Sequence, residues 1–406
     1  MSRLDELIKE LCPDGVEYYS LADVAEYRRG SFPQPYTNQA FYGGENSMPF
    51  VQVADMLDDK FCLADSTKQT ISQLAMPKSI FVEKGTILVS LQGTIGRVAI
   101  TQYDCYVDRT IAIFYNIKKP DLNKKYFAYI LKQKFDYEKQ YARGSTLKTI
   151  TKEEFSEFKI PVPPIEVQSE IVRILDNFTE LTTELTTELT ARKTQYAYYR
   201  DKLLTFGDEV KNIPLKHVVL KSCSGGTPTK GRSEYYDGGT IPWLRTQDVR
   251  FNEIYDINSF ITEEAIKKTA AKWIPANCVI VAISGATAGR CAINKIPTTT
   301  NQHCLNLEID SSKALYKYIF YCLCNQYEEL ISKKQGARGD LNSSMVLNLI
   351  IPLPPLEEQE RIVSILDKFD GLCNDISIGL PAEIETRHKQ YEYYRDKLLT
   401  FKELTR

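Results

Sequence analysis

The chain of 406 residues is long enough for two or three domains with cores of their own, and its formal net charge of −2 argues against a generic polyanion binder, since whole-chain charge sets non-specific affinity. The longest apolar run, Cys278 to Ile283, is far short of a membrane span, and Met1-Ser-Arg-Leu-Asp-Glu is no signal peptide, so no membrane partner is expected. Ten cysteines without an even framework of spacings read as reduced thiols of a cytoplasmic protein. There is no Cys-x-x-Cys pair, so Cys322-Leu-Cys324 and His303-Cys304 read as buried thiols rather than zinc ligands; no metal and no cofactor are expected.

Residues 1–16 open the chain with a short amphipathic helix, Leu4 to Leu11, that has Leu4, Leu7, Ile8 and Leu11 on one face. It is similar to the tail of a long helix whose first part is missing. Asp14, Val16, Leu21 and Val24 match Asp208, Val210, Leu215 and Val218 at a constant offset of 194. The chain therefore reads as a circle cut open, with the N-terminal fragment expected to pack near the end of the C-terminal helix.

Residues 17–159 and 208–350 read as mixed α/β segments. β-rich runs such as Ile87–Leu91 and Val279–Ser284 each lead into a glycine loop, Gly93-Thr-Ile-Gly-Arg97 and Gly285-Ala-Thr-Ala-Gly-Arg290. Neither loop ends in Gly-Lys-Ser/Thr, so neither is a nucleotide P-loop. One reading is a hairpin that brings backbone amides and Arg97 or Arg290 to nucleic acid; the other is a purely structural hairpin. A second matched pair is Pro49–Asp55 and Pro242–Asp248. It puts Gln52, Arg245 and Gln247 on or beside a strand, and these are side chains that make bidentate contacts to base edges. A basic cluster recurs ahead of each long helix: Lys139, Arg143, Lys148 and Lys152 in the first copy, Lys333, Lys334 and Arg338 in the second. Solvated surface lysines are the alternative.

Residues 160–207 and 351–406 are the strongest repeat. Ile160-Pro-Val-Pro-Pro164 returns as Ile351-Pro-Leu-Pro-Pro355, and 12 of 15 positions agree between Arg192–Phe206 and Arg387–Phe401. From Ile165 to Phe206 there is no Gly or Pro. Ile171, Ile174, Phe178, Leu181, Leu185, Leu189, Tyr196, Tyr199 and Leu203 fall at the gaps of three and four that mark a coiled-coil seam. About 40 helical residues span roughly 60 Å, which suits a spacer. Inside it Thr-Glu-Leu-Thr repeats over Thr179–Thr190, a stutter in heptad terms; one unit more or less changes the length by about 6 Å and turns the downstream helix by roughly 40°. The alternative is a solvated helix with a tolerated slip. Gly379-Leu-Pro381 should break or kink the second helix, with Pro381 in a new first turn.

These motifs resemble the specificity subunits of type I restriction–modification systems. The resemblance rests on the Ile-Pro-x-Pro-Pro…Glu-x-Gln openings, the Gln-Tyr-x-Tyr-Tyr-Arg-Asp-Lys-Leu-Leu endings, Leu380–Ile384 and the Thr-Glu-Leu-Thr repeat, and it spans essentially the whole chain. It implies an α+β fold: two mixed α/β target recognition domains separated by two long helices that form an antiparallel coiled coil, with a pseudo-two-fold internal repeat. It also implies double-stranded DNA, two methylation subunits and restriction subunits as partners. Each recognition domain would read half of a bipartite, asymmetric site, and the repeat number in the central helix would set the gap.

On this reading the DNA-binding candidates are Gln52, Arg97, Arg143, Lys148, Arg245, Gln247, Arg290, Lys333, Lys334 and Arg338. Off-seam residues Tyr198, Arg200, Tyr393 and Arg395 are the candidates for partner docking. Two rival classes compete: a DNA-modifying enzyme in its own right and a coiled-coil scaffold without a nucleic-acid role. A methyltransferase needs an Asn-Pro-Pro or Asp-Pro-Pro motif, and no Asn-Pro or Asp-Pro dipeptide occurs; His217, His303 and His388 are scattered and make no triad. The repeated basic clusters and divergent Gln/Arg loops speak against a bare scaffold.

Overall fold

The computed structural model describes residues 3–57, 60–141, 157–334, 340–374 and 379–404, with the backbone alone at 138–141. The chain folds as two compact units, Met1–Thr186 with Glu383–Arg406, and Thr187–Ala382. Each unit thus takes its globular part from one repeat and helical segments from both.

Each unit is built on the same two sheets. In unit 1, strands Ala25–Arg29, Ile111–Ile117, Ile87–Ser90 and Val98–Ile100 form an antiparallel sheet in that order. In unit 2 the order is Val219–Ser224, Cys304–Ile309, Val279–Ala282, Cys291–Asn294, with Glu253–Ile254 added at the edge. The second sheet is mixed. Met48–Val51 runs parallel to Cys105–Val107 in unit 1, as Ile241–Leu244 runs parallel to Thr298–Thr300 in unit 2. Gly30 and Gly225 lie where the first strand passes the second sheet: a Cβ would sit 2.3 Å from the Val107 carbonyl oxygen or 1.9 Å from that of Thr300. A helix, Lys124–Tyr141 or Tyr316–Asn325, covers the first sheet and feeds the main core.

The proline-rich openings are short strands. Lys159–Pro161 pairs with Tyr18–Ser20, and Ile350–Pro352 with Asn212–Pro214. Proline ends each strand because it has no donor for the ladder, and the helices Ile165–Leu203 and Leu356–Asn374 begin just after the Pro-Pro pairs. The glutamine of each Glu-x-Gln motif then does the anchoring. Gln168 is fully buried; its Oε1 accepts from the Asn123 N–H at 2.8 Å, and its Nε2 donates to the carbonyls of Pro163 at 2.7 Å and Asp121 at 3.0 Å. Gln359 repeats this with Leu315 N–H at 2.9 Å, Pro354 at 2.9 Å and Lys313 at 3.3 Å. Two turns further on, Asp176 takes Lys125 at 2.7 Å and the Tyr129 hydroxyl at 2.8 Å, while Asp367 takes Lys317 at 2.8 Å and Tyr321 at 2.6 Å.

The helix pairing is also made twice. Phe178 stacks on Tyr394 at 5.5 Å in unit 1, and Tyr199 stacks on Phe369 at 5.7 Å in unit 2. Each contact joins the long helix Ile165–Leu203 to a helix of the second copy within its own unit. The seam is not continuous, however. Ile171 and Leu175 are buried, but Leu181 is 47% exposed, and Glu180 and Glu184 flank it. In this stretch the threonines satisfy themselves: Thr179, Thr182, Thr183 and Thr186 donate their hydroxyls to carbonyls four residues back at 2.8–3.1 Å. The boundary between the two compact units falls at Thr186–Thr187, inside this repeat. In the second copy helix Leu356–Asn374 runs to the edge of the described residues, and a helix starts at Leu380, just after Gly379, with Pro381 in its first turn.

The opened circle closes within unit 1. Helix Arg3–Leu11 buries Leu4 in the core that also holds Leu399. Val16 donates to the Lys402 carbonyl at 2.8 Å and accepts from Leu404 N–H at 3.0 Å, and the Tyr18 hydroxyl donates to the Phe401 carbonyl at 2.9 Å.

Replacing Gln168 by Ala strands one buried N–H and two carbonyls. It should destabilise unit 1 by about 3 kcal/mol, read as a lower urea midpoint in equilibrium unfolding followed by a unit-1 probe such as exchange of the Asn123 amide.

Candidate nucleic-acid interface

In unit 1 three turns meet around a cleft of about 580 Å³. The first turn follows strand Met48–Val51 and is capped from within: the Gln52 N–H donates to the buried Asp55 carboxylate at 2.8 Å, and Lys68 N–H reaches the same carboxylate at 2.9 Å. The second is the hairpin between Ile87–Ser90 and Val98–Ile100. Gly93 and Gly96 turn it at φ of +73° and +79°, and buried Ser90 pins it by donating to the Thr94 carbonyl at 2.6 Å and accepting from Arg97 N–H at 2.8 Å. The third turn is Asp108-Arg109-Thr110. Asp108 Oδ1 accepts from Thr110 N–H at 2.9 Å, and its Oδ2 accepts from the Tyr36 hydroxyl at 2.5 Å. Burial first, then this hydrogen bond, hold the Tyr36 hydroxyl above its ordinary pKa, so it stays a donor at neutral pH. The Arg109 guanidinium lies over the Tyr36 ring at 5.1 Å.

Unit 2 repeats the frame. Arg245 N–H donates to Asp248 at 2.8 Å; the hairpin 283–290 turns at Gly285 and Gly289 with φ of +73° and +93°; and Asn301 Oδ1 accepts from His303 N–H at 3.1 Å. The same bonds join the turns. Asp108 N–H meets the Val51 carbonyl and Asn301 N–H that of Leu244, both at 3.0 Å; Leu91 N–H meets Thr110 at 2.8 Å and Ile283 N–H meets His303 at 2.9 Å.

The structure brings Gln52, the Gly93 loop and Arg97 together around one cleft, and in unit 2 the strand ends before Arg245 and before the Gly285 loop are both bonded to the Asn301–His303 turn. Both loops are hairpins. The Arg97 side chain is engaged inward: Nη1 donates to the carbonyls of Val53 at 3.2 Å and Met56 at 3.1 Å, which ties hairpin to turn. Arg245 lies over Trp243 at 5.9 Å, and its buried Nε has no hydrogen-bond partner among the described residues. Gln247 is exposed and its carbonyl accepts from Arg250 Nε at 2.8 Å. Arg290 closes the second hairpin through its backbone, accepting from Ala282 N–H at 2.9 Å. Helix Tyr327–Ser332 runs beneath that hairpin, since a Cβ on Gly289 would sit 2.8 Å from Ile331, and it leads directly to Lys333 and Lys334. Lys333 pairs with Glu329 at 2.6 Å. Arg143, Lys148, Lys152, Arg338 and the side chain of Lys139 lie outside the described residues.

Sequence reasoning missed Tyr36, Gln92, Arg109 and Gln302. A signal existed: Asp108-Arg-Thr110 and Asn301-Gln-His303 are Asx turns at offset 193, set just before matched strands.

The docking candidates divide. Tyr198 and Tyr393 are 60% and 63% exposed. Arg200 and Arg395 are each engaged by side chains of their own unit. Arg395 is 9% exposed and pairs with Asp136 and Asp396, both at 3.0 Å; Arg200 Nε donates to Asn325 Oδ1 at 3.0 Å. Burial opposes the Arg395 charge, but Asp396 and Asp136 outweigh it and hold its pKa above the ordinary value. The reason is helical spacing: each arginine sits four residues beyond Tyr196 or Tyr391, whose rings face the unit interior, and turns inward with them. Among the described residues no group of three or more His, Cys, Asp or Glu could hold a metal ion, and no helix is long and apolar enough to cross a membrane.

Comparison with known proteins gives one answer. The family model of the type I restriction modification DNA specificity domain matches twice, over residues 13–192 and 207–386. A type I restriction enzyme specificity subunit of Escherichia coli is 38% identical over 260 residues, which is 61% of this chain and 64% of that protein, so the match spans less than two thirds of the relative. A putative type I specificity subunit of Haemophilus influenzae is 35% identical over 283 residues, 64% of this chain and 68% of that one. Among solved structures, a type I restriction–modification assembly contains a chain with a TM-score of 0.67 at 15% identity, covering 95% of this chain and 98% of that one. The type I S subunit from M. genitalium aligns with a TM-score of 0.56 at 15% identity, covering 95% and 96%. These two likenesses are of fold.

Arg395→Ala removes one ion pair of the partly buried Asp136 and leaves it Lys132 at 3.4 Å. Chemical denaturation should show a loss of about 2 kcal/mol, whereas Tyr393→Ala, at an exposed position, should fall within about 0.5 kcal/mol of the parent.

Proposed function

Because this chain belongs to the type I restriction modification DNA specificity domain family, we propose that it is the DNA-reading subunit of a type I restriction–modification complex, and that it does no chemistry itself. The observation that carries this is the turn frame, drawn twice with the same hydrogen bonds and dressed with different outward side chains. A constant scaffold with variable loops is what two readers of unlike half-sites require, so the bipartite target is not a palindrome.

The recognition domains correspond to residues 17–159 and 208–350. Gln52, Arg245 and Gln247 face base edges; Arg290, Lys333 and Lys334, with Arg143, Lys148 and Arg338, hold phosphates, and Arg97 shapes the floor of its cleft. Local basic side chains supply the attraction that the net charge of −2 withholds. Two methylation subunits dock on the helices through Tyr198 and Tyr393, which are large, rigid, exposed anchors. They act on an adenine flipped from the bound duplex, restriction subunits complete the complex, and the whole works in the cytoplasm.

Single-molecule methylome sequencing of cells that carry this chain with its methylation subunit tests the proposal. A new adenine mark in a split, asymmetric motif is expected; no mark, with an active methylation subunit present, would leave a scaffold. Exchanging residues 17–159 with 208–350 should exchange the half-sites in the same assay. Deleting one Thr-Glu-Leu-Thr unit, which shortens the helix by about 6 Å, should change the gap and leave both half-sites intact.

A further inference from the structure

Two outward positions on the repeated frame carry an exchanged pair of side chains. The first is the residue that caps the turn after the mixed-sheet strand: Gln52 in unit 1, Arg245 in unit 2. The second is the middle of the Asx turn: Arg109 in unit 1, Gln302 in unit 2. The hydrogen bonds that match these positions run from backbone N–H groups to Asp55 and Asp248 at the first and to Asp108 and Asn301 at the second, so the equivalence does not depend on the outward side chains themselves.

Both arginines are held against an aromatic ring, Arg109 over Tyr36 at 5.1 Å and Arg245 over Trp243 at 5.9 Å. A guanidinium fork fixed in plane loses little freedom when it pairs with a two-acceptor edge. Gln302 is held by other means. Its Oε1 accepts from the Thr227 hydroxyl, and its Nε2 lies 3.2 Å from His303 Nε2. A carboxamide has two donor hydrogens and two lone pairs. With one of each engaged, one donor and one acceptor remain, which is what the N7 and N6 edge of adenine takes. In unit 1 the buried Asp108 carboxylate backs the cleft beside Arg109. A neutral base edge is tolerated next to that charge; a phosphate is repelled.

We infer that Gln52 and Arg109 read an adenine and a guanine in one half-site, and that Arg245 and Gln302 read a guanine and an adenine in the other. The two half-sites differ because an arginine and a glutamine trade places on one frame. This rests on the DNA-reading function proposed above.

The test uses the full chain assembled with its methylation subunits, selected on duplexes in which both half-sites are randomised. Arg109→Lys keeps the charge and loses the fork. It should reduce discrimination at one guanine of the first half-site by about 5- to 150-fold, with the second half-site and the salt dependence of binding unchanged. Gln302→Ala should do the same at one adenine of the second half-site alone. If Arg109→Lys keeps the parental preference while Arg109→Ala weakens all sequences equally and lowers the salt slope by about one, Arg109 holds a phosphate and the inference is wrong. Variant profiles identical to the parent would also overturn it, with DNA reading itself left standing. A parental complex with no split preference would instead remove the DNA-reading function, and this inference with it.

Discussion

A single buried carboxamide fixes each long helix to its globular unit. Gln168 and Gln359 are both fully buried, and each meets the N–H of the residue just before the domain helix, Asn123 or Leu315, together with two carbonyls of the approach. The chain must turn at a proline pair where no strand ladder can continue and no helix has yet begun, so its backbone groups have no regular partners there. The glutamine supplies them. A carboxylate in the same place could accept but not donate, and an apolar side chain could do neither, which is why the Glu-x-Gln spacing recurs with the Pro-Pro pair in both repeats.

Once the helix start is fixed, the rest of its first half is set by period. Three residues on from Gln168 comes buried Ile171, then Leu175, then Asp176 turned toward Lys125 and Tyr129, then Phe178 toward Tyr394. The order of anchors is the same from Gln359 through Ile362, Leu366, Asp367 and Phe369. Apolar burial supplies most of the stability here, while the Lys–Asp–Tyr group sets rotation about the helix axis, because a charged pair with a third hydrogen bond tolerates little displacement. The Thr-Glu-Leu-Thr stretch does the reverse. Four of its threonine hydroxyls bond backward within the helix, its Leu181 faces solvent, and Leu185 and Leu189 are only half-buried. A segment that buries so little apolar surface can change length without unmaking a core.

Much of this was legible in the sequence because repetition and breakers are strong signals. The Pro-Pro pairs, the gap-free helical run, the helix start at Gly379-Leu-Pro381 and the circular closure near Val16 all arise from residues whose backbone behaviour is restricted. The two hairpins were visible in their glycines. What sequence could not give was the direction of individual side chains. Arg200 and Arg395 read as solvent-facing because they neighbour a seam tyrosine, yet the face they share is that of Tyr196 and Tyr391, four residues earlier. Leu181 reads as seam by spacing alone, since periodicity reports a stripe and not what lies opposite it. Arg109 escaped notice because a lone arginine between two strands has no pattern; it gains meaning only when Tyr36, more than seventy positions away, comes beneath it.

The net charge bears on how recognition is divided. A reader with a strongly basic surface binds any duplex well and must discriminate against a high background. A chain close to neutrality has little such background, so on the proposed DNA-reading function a larger share of affinity would come from matched base edges and from added partners. That function would place weight on side chains that are already oriented before DNA arrives. Asp55 and Asp248 lock the caps, Asp108 and Asn301 lock the Asx turns, and the aromatic rings of Tyr36 and Trp243 hold the arginines. None of these supports needs to touch a base. On the proposed function their effect is to lower the ordering entropy that the reading residues would otherwise lose on binding, so that a rigid frame of short turns suffices where a flexible loop would not.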